Sequence, residues 1–122
     1  MYIRVRDGAD DNHKANIHMA SIPDSIEKII ERFLSEVTRK YRIQAAYLYG
    51  SQARLQAGPW SDIDLAIISP DFSDDLFEER LSLMRMAMTI DDRIEPHPFT
   101  SDRFSEDEPL VSEILHHGVR VQ

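Results

Sequence analysis

Tyr47-Leu48-Tyr49-Gly50-Ser51-Gln52-Ala53-Arg54-Leu55-Gln56-Ala57-Gly58-Pro59-Trp60-Ser61-Asp62-Ile63-Asp64-Leu65-Ala66-Ile67-Ile68 is the stretch from which the fold can be read. It leaves an apolar run at Gly50-Ser51, passes a Gly58-Pro59 loop, and re-enters an apolar run beside two aspartates. The pattern predicts a buried strand, a turn opening a short helix, a loop, and a second strand that begins by presenting Asp62 and Asp64. Alternate side chains of a strand share a face, so the two carboxylates point one way while Ile63, Leu65 and Ile67 point the other. Adjacent carboxylates repel unless a cation lies between them. A hard divalent ion such as Mg²⁺ suits the pair, being bound by one or two carboxylates together with waters and phosphate oxygens. At the other end, Gly50 has no side chain to hold backbone away from a phosphate, and a following helix would offer unpaired N–H groups.

Each fragment alone is ordinary. The chain has 22 acidic residues, so Asp-x-Asp is cheap, and Gly-Ser is usually a turn. Together, in this order and on this background of strand, turn, loop and strand, they form a far more specific signal.

The 122 residues suffice for one domain with a core of its own, without disulfide or metal staples. There is no cysteine, which excludes a disulfide framework and thiolate metal sites. No apolar run approaches the length of a membrane span and no hydrophobic leader opens the chain, so the expectation is a soluble cytoplasmic protein. A formal net charge of -8 opposes tight binding to nucleic acid, which rests on Lys and Arg displacing counter-ions from phosphates. A small nucleotide arriving with its own Mg²⁺ avoids that repulsion.

Upstream, residues 1–20 mix charges with little periodicity and read as a tail or added arm; residues 21–122 read as a single domain. From Ser21, a plausible N-cap, Ile22, Ile26, Ile29, Ile30, Phe33, Leu34, Val37 and Tyr41 predict the apolar stripe of a long helix. Downstream, Ser73 is placed to cap a helix whose opening turn holds Asp74 and Asp75, with Leu76, Phe77, Leu81, Met84 and Met88 as its buried stripe and Leu83 and Met86 partly alongside. Ile94-Glu95 predicts a short third strand, halted by Pro96 and Pro98, which are confined to an edge or to the strand's end. Beside the second strand, it would let Glu95 join Asp62 and Asp64, with Asp92 the competitor if the strand boundary slips. His97 shares the face of Glu95. Phe104 is expected to pin an acidic loop to the core, and Leu110 to Leu115 outline a last helix stopped by Gly118 as a C′ residue. Tyr47 and Tyr49 read as packing residues, Trp60 as a loop anchor, and Arg54 as either a phosphate contact or a brace on the Asp62 loop.

Gly50-Ser51, ten intervening residues, then Asp62-x-Asp64 between apolar positions resembles the signature of the DNA polymerase β-like nucleotidyltransferases. With Arg54 and Ser61 in place it looks like the minimal nucleotidyltransferases, often partnered with HEPN-domain proteins. The resemblance implies an α/β (α+β) fold, a small mixed sheet with helices packed on it. It implies Mg²⁺-dependent transfer of a nucleoside monophosphate, AMP from ATP, to an acceptor. In that scheme Asp62, Asp64 and Glu95 hold two Mg²⁺ ions, while Gly50, Ser51, Arg54 and Ser61 bind nucleotide. The implied partner is a helical HEPN toxin, the chain acting as antitoxin by adding AMP to a partner tyrosine or by masking the toxin. A small-molecule hydroxyl as acceptor, or an antitoxin that binds without turnover, are the alternatives. Two positions depart from the family pattern: Leu55, where many relatives have glycine, and Glu95, a glutamate as third acid.

Overall fold

The computed structural model describes residues 22–54, 56–58 and 60–122, so the expectations for residues 1–20, Ser21 and Leu55 lie outside the described residues. β1 (Ala45–Tyr49) and β2 (Ile63–Ile68) pair antiparallel, from Ala45 opposite Ile68 to Tyr49 opposite Asp64. β3 (Ile94–Phe99) lies parallel to β2 at one edge, placing Glu95 beside Asp64. The two-residue β4 (Val119–Arg120) closes the other edge against β1, giving the order β3-β2-β1-β4. Around this mixed sheet stand α1 (Asp24–Val37), α2 (Leu76–Met88) and α3 (Pro109–His117), the α+β architecture expected.

The period of two along the strands divides the molecule. Ala46, Leu48, Ile63, Leu65 and Ile67 join Ile26, Ile30, Phe33 and Leu34 of α1 and Leu83 and Ala87 of α2 in the main core. The alternate residues Ala45, Tyr49, Ala66 and Ile68 meet Ile114 of α3, with Tyr47, Phe99 and Phe104 against them. Asp64 and Glu95 belong to this second face. Phe104 pins its loop as expected, its ring stacked 5.6 Å from Tyr47 and edge-on to Phe99 at 5.2 Å. Removing a side chain such as Phe33, which is fully buried, would cost about 3–5 kcal/mol.

Several local expectations are corrected. α1 begins at Asp24 with Pro23 in the N-cap position and no side-chain cap; the Pro23 carbonyl accepts from the N–H of Ile26 and Glu27 at 3.0 Å each. α2 is capped by Asp75, which accepts from Glu78 N at 3.1 Å, while Ser73 Oγ accepts from Asp75 N. β3 runs through both prolines to Phe99, tolerated because an edge strand has a sheet neighbour on one side only. Gly118 is not left-handed: its φ is -81°, and glycine is needed because a Cβ would meet the Ile114 carbonyl at 2.5 Å and that of Leu48 at 3.1 Å.

The largest correction concerns the rotation of α2. Ser82, Leu83 and Ala87 face inward, with Leu76 and Met86 partly buried against the same core as expected, but Phe77 is 71% and Met88 74% exposed. Two stripes were available on this helix, and hydrogen bonds from Lys40 and Tyr41, in the turn after α1, select between them. Tyr41 Oη donates to Glu79 Oε1 at 2.6 Å and lies 3.1 Å from Ser82 Oγ, which also accepts from Lys40 Nζ at 2.9 Å. Turning Phe77 and Met88 inward would break all three contacts.

Candidate active site

Strand pairing brings two of the acids, Asp64 and Glu95, side by side. Asp64 is the first β2 residue paired with β1, and its side chain lies on the α3 face, in register with Glu95 on β3. Asp62 is exposed and precedes β2 by one residue. Burial, then the charge of Asp62, then that of Glu95 raise the Asp64 carboxyl pKa above its ordinary value, with Arg80 opposing them. A carboxylate held up by two neighbouring carboxylates is short of positive charge. Asp92 lies exposed in the turn before β3, outside the pairing that joins Glu95 to Asp64.

The aromatic side of the site is Tyr49 and His97. Their rings lie 5.8 Å apart, and His97 Nε2 is 4.0 Å from Asp64 Oδ1. Burial and the nearby Arg80 bring the His97 pKa down to about 4, so the ring is neutral near pH 7 and supplies Asp64 with no charge. Burial and then Asp64 raise the Tyr49 hydroxyl well above its usual value, which keeps it a proton donor at neutral pH.

Glu95 has a partner that the linear pattern did not signal. Arg80 Nη2, from the side of α2, donates to Glu95 Oε1 at 3.2 Å. Only the packing of α2 against the edge strand β3 brings the two together. The donor chemistry fits a hard divalent ion: three oxygen-bearing acids and a raised Asp64 carboxyl. The placement is incomplete, because among the described residues no three His, Asp or Glu side chains converge closely enough to hold a metal ion.

The phosphate end also differs from expectation. Gly50 is left-handed, with φ 76°, but Gly50-Ser51 opens no helix. Residues 50–54 form turns instead, with Arg54 N donating to Gly50 O at 3.2 Å and Gln56 N to Ser51 O at 3.0 Å. No helix dipole therefore acts there. The Arg54 guanidinium pairs with the carboxylate of Glu113 on α3, a partner other than the two considered. Ser61 closes its loop on Gly58, its Oγ accepting from Gly58 N at 2.9 Å and its own N–H reaching Gly58 O at 3.2 Å. Trp60 anchors nothing: it is 88% exposed. A groove of about 430 Å³ lined by Glu31, Arg32, Ser35, Glu36, Thr89 and Ile90 involves none of these residues.

Comparison with known proteins adds to this geometry. A family model described as Polymerase beta, Nucleotidyltransferase matches residues 27–121. The fold is similar to the crystal structure of a Sulfolobus solfataricus protein provisionally described as a nucleotidyltransferase. The two are 16% identical with a TM-score of 0.56, over 93% of this chain and 87% of that one. At that identity the likeness bears on the fold alone. No curated protein matches the chain.

Proposed function

The chain belongs to the Polymerase beta nucleotidyltransferase family, and from that premise we propose that it transfers a nucleoside monophosphate, AMP from ATP, to an acceptor hydroxyl. The observation that carries this reading is the pairing of Asp64 with Glu95 in adjacent strands, with Asp62 close enough to raise the Asp64 carboxyl. Asp62, Asp64 and Glu95 are the residues that would hold Mg²⁺. When bound, divalent ions supply charge neutralisation for the triphosphate and the departing pyrophosphate.

The chain's own part is positioning. β2 and β3 fix two of the acids in register, and the absence of a side chain at Gly50 leaves space that the Asp64 carboxylate occupies. The Gly50 amide and Ser51 hydroxyl are the groups assigned to the β and γ phosphates, and Ser61 is a further contact within a closed loop. Arg54, paired with Glu113, is better suited to tie the Gly50 turn to α3 than to meet a phosphate. No covalent intermediate on the chain is required, since orientation and electrostatics account for this class of displacement.

The acceptor is proposed to be a helical HEPN-type partner protein, with this chain as its antitoxin. The reading rests on the Gly50-Ser51 and Asp62-x-Asp64 resemblance. The test is incubation with Mg²⁺ and each α-labelled nucleoside triphosphate, with and without the partner. Label should appear on the partner, and Asp64→Asn should abolish it while the fold survives. Undiminished transfer by that variant would remove the assignment. Label on a small hydroxyl compound instead would leave the chemistry and replace the acceptor.

A further inference from the structure

Arg80 stands where the acid cluster meets α2. Its Nη2 donates to Glu95 at 3.2 Å, and its charge acts on Tyr49, Asp64 and His97 alike. The pair is not locked: it has one bond rather than the two-pronged arrangement open to a guanidinium, and the side chains of Arg80 and Glu95 are 38% and 33% exposed. The Nε of Arg80 is buried with no hydrogen-bond partner, so the guanidinium is only partly satisfied where it sits. One acid of the three is thus engaged by a cation the protein itself supplies, while the other two are left to repel each other.

We propose that Arg80 is a positioning residue that acts as the internal counter-ion of Glu95, holding the third acid when no metal is bound and yielding it to a divalent ion. The proposal rests on the reading of Asp62, Asp64 and Glu95 as the metal-holding acids. It gives Glu95 an occupied partner in a structure whose described residues bring no three acids close enough to hold a metal ion. It also assigns a consequence, because an ion entering the site competes with Arg80 for Glu95. Removing the competitor then strengthens metal binding, whereas a merely structural Arg80 would weaken it when removed.

The test uses the full chain with Mn²⁺ as probe, its affinity read by isothermal titration or by the loss of the free-ion paramagnetic resonance signal. Arg80→Gln is expected to bind Mn²⁺ roughly two- to fivefold tighter than the unaltered protein, the range open to a half-exposed ion pair. Arg80→Met keeps the apolar stem and serves if the Gln variant does not fold. Arg85→Gln, at an exposed position in the last turn of the same helix, is expected to leave affinity unchanged. In a Glu95→Gln background the Arg80 effect should vanish. Tightening that persists without Glu95 would mean a general field effect and would overturn the proposal, as would equal or weaker binding by both Arg80 variants. If the unaltered protein binds no Mn²⁺, the metal-site reading falls and takes this proposal with it.

Discussion

A β-carbon on Gly50 would stand 2.5 Å from Oδ2 of Asp64. The two residues are neighbours because β1 ends where antiparallel β2 begins, with Tyr49 opposite Asp64 and Gly50 next in the chain. The glycine therefore meets two demands at once: a left-handed backbone with φ 76° and room for a carboxylate.

Gly50→Ala is accordingly expected to do more than strain a turn. The backbone conformation alone costs an alanine about 1–2 kcal/mol, measurable by urea denaturation. The new methyl must also displace the Asp64 carboxylate, so Mn²⁺ affinity should fall further than that of Ser51→Ala. Equal metal binding by the two variants would show that the contact between residues 50 and 64 does not shape the site.

The rotation of α2 can be tested by stability alone. Leu83→Ala, at a fully buried position, should cost about 2–5 kcal/mol in chemical denaturation. Met88→Ala and Phe77→Ala, at exposed positions, should each stay within about 0.5 kcal/mol. The reverse ranking would restore the stripe that the spacing of the apolar residues suggests.

That reversal marks the boundary of what the linear pattern can tell. The mixed sheet and the α+β class follow from the resemblance carried by Gly50-Ser51 and Asp62-x-Asp64, whereas the two strands on either side of Gly50 and the face shared by Glu95 and His97 follow from turn residues, apolar runs and the period of two. Each of these is local, and the partner strand supplies the rest once β3 is parallel to β2. Which side of α2 turns inward is not local. Apolar residues lie nearly all round that helix, and Tyr41 and Lys40, about 40 positions earlier, decide the matter through Glu79 and Ser82. Arg80 was missed for the same reason, since nothing in its neighbours predicts a contact with Glu95. In place of the helix expected after Gly50-Ser51, residues 50–54 form turns.

Acid should loosen a different part of the molecule. Arg42 holds Asp71 through its backbone N–H at 2.7 Å and through Nη2 at 2.6 Å, and these bonds bring the Asp71 carboxyl down to about 2. A carboxylate whose folded pKa lies below its unfolded value contributes stability that is full above the unfolded value and lost as pH falls through the folded one. For Asp71 that window runs from its ordinary 3.8 down to about 2. The melting temperature of Asp71→Asn should therefore start lower at neutral pH and converge on that of the unaltered protein across that window. Parallel profiles would deny the Arg42 pair any part in stability.

Asp64 should behave in the opposite sense. Its raised pKa means that folding, with burial and the charges of Asp62 and Glu95 around it, disfavours the ionised form. The sign follows directly: relative to a neutral side chain, Asp64 weakens the fold as pH rises above its unfolded value toward and through its folded pKa. With a chelator present near pH 7, Asp64→Asn is expected to melt at the same temperature as the unaltered protein or higher. Added Mn²⁺ should raise the melting point of the unaltered protein by mass action and leave the variant where it was, so the ranking inverts. Such an inversion is the mark of a charge kept for a ligand at the expense of the empty fold. An Asp64→Asn variant that melts clearly lower in chelator would place Asp64 among the structural residues and leave the site without its central acid.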